Sequence, residues 1–147
     1  MAIRYEVTPR KGALHGFLDR QWEKVERALH GKHYDDFKWD CKRQHIIARD
    51  GQKPVGYAGL YIDGGVVVLD ELIVHDHYRG RGIGRRLLEN TEALARRLDA
   101  HKITLETDDG LKAAIKLYTS CGFRKEATLP RHYGKRPTTI YGKQLDV

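Results

Sequence analysis

Between Arg79 and Arg86 the chain reads RGRGIGRR, with glycine at 80, 82 and 84 and arginine at 79, 81, 85 and 86. The stretch follows the apolar run Leu72, Ile73, Val74. It leads into residues 82 to 98, whose apolar positions Ile83, Leu87, Leu88, Leu94 and Leu98 recur at helical spacing with charges between them. It therefore joins a strand to a long amphipathic helix, which commits the chain to packed layers of sheet and helix. Alternate glycines let backbone N–H groups turn toward one point with no Cβ in the way, and the helix adds the positive end of its dipole. That is an anion cradle, and the arginines around it suit a pyrophosphate.

The rest of the chain can be read around this junction. IRYEV (3 to 7) reads as a short strand, and residues 13 to 30 as a helix with Leu14, Phe17, Leu18, Val25 and Leu29 as its apolar positions. Residues 44 to 74 give three strands, joined as antiparallel hairpins by turns at DGQKP (50 to 54) and DGG (63 to 65). After the long helix, KITLE (102 to 106) is a strand. Leu111, Ala114, Ile115 and Tyr118 make one face of a short helix that stops near Gly122, and FRKEATL (123 to 129) and TTIYGKQL (138 to 145) close the chain as strands. The order β, α, β-meander, α, β, α, β, β predicts an α/β or α+β sandwich with a mixed sheet, and 147 residues fit one domain.

Composition narrows the function classes. No apolar stretch approaches the roughly 20 residues of a membrane span, and the first residues lack the apolar core of a secretory signal, so the cytoplasm is the expected compartment. Two cysteines, Cys41 and Cys121, are too few for a disulfide scaffold or a zinc ribbon and read as reduced thiols. The net charge of +7 points to an acidic partner, either nucleic acid or a phosphorylated small molecule. Basic residues are spread from Arg4 to Lys143 rather than gathered on one face, which argues against nucleic acid. A Walker A loop is excluded because no lysine follows these glycines, and the G-x-G-x-G spacing departs from the dinucleotide fingerprint. A tight strand-to-helix turn without a ligand is the plain structural alternative.

The segment Arg79 to Gly84 resembles the R/Q-x-x-G-x-G/A signature of the GCN5-related N-acetyltransferase (GNAT) superfamily. A second segment, AAIKLYTSCGF (113 to 123), is similar to the family's A-x-x-L-Y-x-x-x-G-F motif, with Ala114, Leu117, Tyr118, Gly122 and Phe123 in register. One departure is Leu111, where many members carry an asparagine that contacts the pantetheine arm. The resemblance implies a mixed, mainly antiparallel sheet of about six to seven strands flanked by helices. It also implies acetyl-CoA as donor, a primary amine as acceptor and direct attack in a ternary complex, with no metal. Carried over by position, the backbone of Arg79, Gly80, Arg81, Gly82, Ile83, Gly84 and Arg85 would hold the pyrophosphate. Leu72, Ile73 and Val74 would pair with the pantetheine like an added strand, and an N–H near Ile73 could polarise the thioester carbonyl. A homodimer, frequent in the superfamily, is a further expectation.

The chemistry needs a base for the ammonium and an acid for the departing thiolate. Freeing a lysine-type amine at pH 7 costs about 4.6 kcal/mol, and an α-amino group only about 1 to 1.4. Tyr118 is the candidate acid, because its position matches the family tyrosine near the CoA sulfur. For the base the resemblance offers Glu71, beside Leu72 on the motif strand, and Glu106, where RimI-like N-terminal acetyltransferases carry their proposed base. Asp70 ranks behind them, since strand alternation sends it to the face opposite Glu71. HDH (75 to 77) and HGKH (30 to 33) have ligand-like spacing without a clear third ligand and read as surface histidines. Trp22, Phe37 and Trp39 read as core or cleft-lining. The acceptor is an amine of a small molecule or of a peptide or protein, the second in the manner of RimI-like N-terminal or lysine acetyltransferases. A different class, a non-catalytic acyl-CoA sensor or a basic nucleic-acid-binding module, predicts that Tyr118 and both glutamates are replaceable.

Overall fold

The Asp50-Gly51 and Asp63-Gly64-Gly65 sequences reverse the chain where hairpins are predicted. They give β1 (Gln44–Asp50), β2 (Lys53–Asp63) and β3 (Val66–Val74) as an antiparallel meander. The computed structural model describes residues 3–9, 12–37, 39 and 43–145. The long amphipathic stretch forms α2 (Ile83–Arg97), followed by β4 (Lys102–Asp108), α3 (Lys112–Ser120), β5 (Arg124–Leu129) and β6 (Thr138–Gln144). The six strands of the described residues lie in the order β1-β2-β3-β4-β6-β5, and among them β3 against β4 is the one parallel pair, as expected where a helix connects two neighbouring strands. The sheet is thus mixed and mainly antiparallel, with six strands.

The chain divides into two compact units, Met1–Asp36 and Phe37–Val147. In the first, α1 (His15–His30) follows a 3₁₀ turn at Gly12–Leu14 and runs into another at Gly31–Asp36, in agreement with the helix expected at 13 to 30. Arg27 holds the end of this unit together, 2.9 Å from Glu23, 3.4 Å from Asp35 and 4.2 Å above the Tyr34 ring. The strand expected at 3 to 7 does not form. A strand exists only through a ladder to a partner, and five alternating residues do not supply one.

The second unit holds the sheet. On the face covered by α2 and α3, Ala58, Leu60 and Ile62 of β2 alternate inward with Val67 and Leu69 of β3 and with Ile103 and Leu105 of β4. They meet Leu87, Leu88 and Ala95 of α2 and Tyr118 of α3. Each large aliphatic side chain buried there contributes about 1.5–3 kcal/mol.

Two of the sheet's departures from regular pairing shape the region around β3. In β3 the register with β2 jumps from Leu60↔Leu69 to Gly59↔Glu71, so Asp70 is an extra, bulged residue. Before the bulge Val67 and Leu69 face the helices, and after it Leu72 and Val74 do. Before the bulge, β3 pairs with β4 only through Val66↔Lys102, Val67↔Ile103 and Val68↔Thr104. Beyond these three pairs the strands part, β3 staying with β2 and β4 with β6. No helix among the described residues is long and apolar enough to cross a membrane.

Candidate functional site

The parting of β3 and β4 leaves a fork in the sheet. From Leu69 to Val74 one edge of β3 has no partner strand among the described residues, so alternate N–H and C=O groups on that edge are available to a ligand that pairs as a strand would. Leu72, Ile73 and Val74 all lie on this limb, and Ile73 is 61% exposed. A shallow apolar depression lined by Val55, Tyr57, Ile73 and His75 runs beside it.

At its end β3 leads through a 3₁₀ turn at Asp76–Tyr78 into the glycine-rich stretch and α2. Gly80 and Gly82 have φ of 74° and 81°, the left-handed region that side-chain-bearing residues avoid, so both are required by backbone conformation. Gly82 caps α2 without a side-chain hydrogen bond, and the first turn holds no acid. Its first intrahelical bond is Arg86 N–H to Gly82 O, leaving the N–H groups of Ile83, Gly84 and Arg85 with no helical acceptor. Two arginines in a first turn oppose the helix dipole unless an anion sits there, so this donor set fits a phosphate group.

The glycines and arginines are not equivalent. A Cβ on Gly84 would meet Leu117 Cδ2 of α3 at 2.9 Å, so Gly84 serves the packing of α2 on α3 rather than the opening of the cradle. Arg79 Nε donates to Val74 O at 3.2 Å. Arg81 donates to His77 O at 3.2 Å while stacking 4.9 Å from the Tyr78 ring centroid. These side chains brace the loop. Arg85 turns away to Ser120 Oγ (2.8 Å) and Cys121 Sγ (3.4 Å), in a separate hollow with Glu92 and Lys143, so only its backbone N–H remains at the helix start.

Tyr118 is buried on the helix-covered side of the sheet, its ring edge-on to Phe123 with centroids 6.1 Å apart. Its hydroxyl has no hydrogen-bond partner among the described residues. Burial pushes its pKa above the ordinary tyrosine value, so it keeps its proton at neutral pH.

Both glutamates lie on the opposite face. On β4, Leu105 and Thr107 are buried and Glu106 between them is exposed, with no ion pair or side-chain hydrogen bond among the described residues. On β3, Glu71 stands opposite Gly59 while the neighbouring pair Ala58↔Leu72 faces the helices. The tyrosine therefore lies on one side of the sheet and the two carboxylates on the other.

Asp70 differs from the alternation rule, because the bulge lets it share a face with Glu71. Both approach one guanidinium. Arg43 donates through Nη1 to Asp70 Oδ1 at 2.8 Å and through Nη2 to Oδ2, while its Nη1 stays 4.0 Å from Glu71 Oε2. The pairing holds the Asp70 carboxyl below the usual aspartate range. Tyr57 hydroxyl bonds His45 Nδ1 at 2.8 Å on the same face. Sequence reading missed Arg43, Tyr57 and His45. The period-two spacing of Tyr57, Gly59 and Tyr61 was a visible signal of a shared face, whereas the bulge that gathers the charges was not.

HDH (75 to 77) does acquire a third ligand-type group: atoms of His75, Asp76 and His77 lie within 4.8 Å of one another. His75 Nδ1 already accepts the His77 backbone N–H at 3.2 Å and caps the short turn. Cys121 is a free thiol, and Cys41 lies outside the described residues.

The fork sets an open strand edge beside a glycine-rich helix start with unpaired backbone donors. The acetyltransferase (GNAT) family model matches residues 14–123, and the chain belongs to that family. It is 36% identical over 106 residues to the N-alpha-acetyltransferase RimI of Mycobacterium tuberculosis, covering 69% of this chain and 65% of that protein. It is also 36% identical over 93 residues, 60% of this chain, to an uncharacterised Mycobacterium leprae protein. The chain spans 65% and 25% of the lengths of these two relatives. Among solved structures, an acetyltransferase from Bacillus cereus superposes with a TM-score of 0.76 at 16% identity, over 96% of this chain and 98% of that one. An acetyltransferase of Bacillus anthracis, solved with acetyl coenzyme A, superposes with a TM-score of 0.67 at 22% identity, over 77% of this chain and 68% of that one.

Proposed function

We propose that the chain is an N-acetyltransferase that moves an acetyl group from acetyl-CoA to a primary amine, and that Met1–Asp36 and Phe37–Val147 work as one domain. The fork between β3 and β4 carries this reading, because it joins an open strand edge to an anion-binding helix start. The match from 14 to 123 runs through both units, which supports their joint function. The Bacillus anthracis neighbour binds acetyl-CoA on the same fold. In this reading the pyrophosphate lies on the N–H groups of Gly80 to Arg85. The pantetheine pairs along Leu72 to Val74, and an N–H near Ile73 polarises the thioester carbonyl.

The amine nitrogen forms its bond to the carbonyl carbon from the face of Glu71 and Glu106. The C–S bond then breaks toward the opposite side, where Tyr118 hands its proton to the thiolate. Glu106 takes one proton of the ammonium before attack, directly or through one water, because among the described residues it has no ion-pair partner to hold its charge, and the second proton that the nitrogen loses as the adduct collapses returns through water to the tyrosinate. Glu71, which shares its surroundings with Arg43, binds and orients the cationic acceptor. The products are the acetylated amine and CoA thiol.

The favoured acceptor is the α-amino group of a peptide or protein, on the strength of 36% identity to RimI. Its lower cost of deprotonation also suits a site whose base is an exposed carboxylate. A small-molecule amine is the other acceptor class. The test is thiol release from acetyl-CoA against a panel of peptides with free N-termini, peptides with internal lysines, and small polyamines. Turnover with N-terminal peptides is expected. Acetyl-CoA binding without turnover of any acceptor would favour a sensor, and absence of binding would overturn the reading of Gly80 to Arg85.

A further inference from the structure

Five side chains on the acceptor face meet over a residue that has none. A Cβ placed on Gly59 would lie 2.7 Å from Tyr57 Oη, 2.8 Å from Arg43 Nη1 and 2.9 Å from Glu71 Oε2. Glycine at 59 is therefore what lets a hydroxyl, a guanidinium and a carboxylate converge there. Asp70 and His45 complete the group, through Arg43 and Tyr57 respectively. The guanidinium also lies 5.9 Å from the centroid of the Tyr61 ring. One cation thus stands between two carboxylates of adjacent residues, and its bonds are unevenly shared: both Nη atoms serve Asp70, and Glu71 is left at 4.0 Å.

The uneven sharing has a chemical consequence. A guanidinium is always charged, and its fork matches one carboxylate in bidentate fashion. If Asp70 were not there, the nearest anion for Arg43 would be Glu71, within reach of a rotamer change. An ion pair would then occupy the carboxylate that the acceptor needs. We propose that Asp70 is a positioning residue: it holds Arg43 in a bidentate pair and so keeps Glu71 free to receive a cationic acceptor. The bulge is the structural device, since only an extra residue in β3 turns Asp70 to the face of Glu71 and Arg43. The inference rests on the functional reading for the role of Glu71, but the competition for Arg43 is a property of the fold alone.

The test compares Asp70→Asn, Arg43→Gln and the double variant, using a short peptide with a free N-terminal amine and acetyl-CoA. Asp70→Asn is expected to raise KM for the peptide about tenfold with kcat within about twofold, as the loss of one charged contact would. Arg43→Gln should leave KM within about twofold, and the double variant should return to that level, because no guanidinium remains to block Glu71. A purely structural ion pair predicts the reverse, with Arg43→Gln as harmful as Asp70→Asn and no recovery in the double variant. A crystal structure of Asp70→Asn gives an outcome independent of activity: Arg43 is expected within about 3 Å of Glu71. Arg43 remaining away from Glu71 would overturn the proposal. Arg43 on Glu71 with no peptide turned over by the wild type would instead count against the acetyltransferase reading. Should Asp70→Asn fail to fold, a rise of about fivefold or more in KM for Arg43→Gln refutes the proposal by itself.

Discussion

Replacing Tyr118 by phenylalanine should leave stability nearly unchanged and nearly abolish activity. The ring is buried on the helix-covered side of the sheet, while the hydroxyl keeps contact with solvent and has no hydrogen-bond partner among the described residues, so its removal breaks no bond. A fully buried unpaired polar group costs about 1–3 kcal/mol, but a hydroxyl in contact with solvent is spared most of that, so the change in stability is expected to stay within about 1 kcal/mol. That corresponds to about 3–5 °C in Tm for a chain of this size. The same hydroxyl is the proposed proton donor to the thiolate, and loss of a general acid lowers kcat by about 10²–10⁴, or about 2.7–5.4 kcal/mol of barrier. Burial raises the tyrosine pKa, so the stability linked to its proton is complete below the ordinary tyrosine value and is lost as pH rises through the raised one. The wild-type rate should accordingly hold its proton donor until above pH of about 10. Thermal denaturation and thiol release, with acetyl-CoA affinity by calorimetry as control, measure all three. A variant that loses more than about 1 kcal/mol of stability, or that keeps kcat within about threefold, refutes the argument that this hydroxyl is unpaired and donates.

Gly82→Ala forces a side chain into φ of 81° and should cost about 1–2 kcal/mol locally, raising KM for acetyl-CoA about tenfold. Gly84→Ala meets the flexible end of Leu117 and should leave that KM within about twofold; steady-state kinetics on both variants separates conformation from packing. Glu106→Gln should lower kcat and steepen its dependence on pH, whereas Glu71→Gln should act mainly on KM for the acceptor, which pH profiles of kcat and kcat/KM resolve. Asp108 is held down to about 2 by Arg136 (2.6 Å) and the Gly110 N–H. Its stabilisation is present above the ordinary aspartate range and fades as pH falls toward 2, so Arg136→Ala should flatten the acid limb of a urea-denaturation series.

Local patterns in the chain determine much of this protein. Period-two runs fix β2 and β3, Asp-Gly turns fix their hairpins, and helical spacing fixes α2 with its glycine-rich start, because each depends on residues within a few positions of one another. The two motifs around Gly82 and Tyr118 likewise sit within single segments. Ile3 to Val7 carries the same alternation and yet forms no strand, since pairing is a relation between distant segments. The bulge at Asp70 is of the same kind: one extra residue, set by how β3 packs on β2, moves a carboxylate to the other face and brings Arg43 between two acids. The fork itself is tertiary, because β3 and β4 part after three pairs only when each has a different neighbour to follow. Sequence supplies the residues that can hold an acyl donor, and the sheet's departures from regular pairing decide which of them share a face.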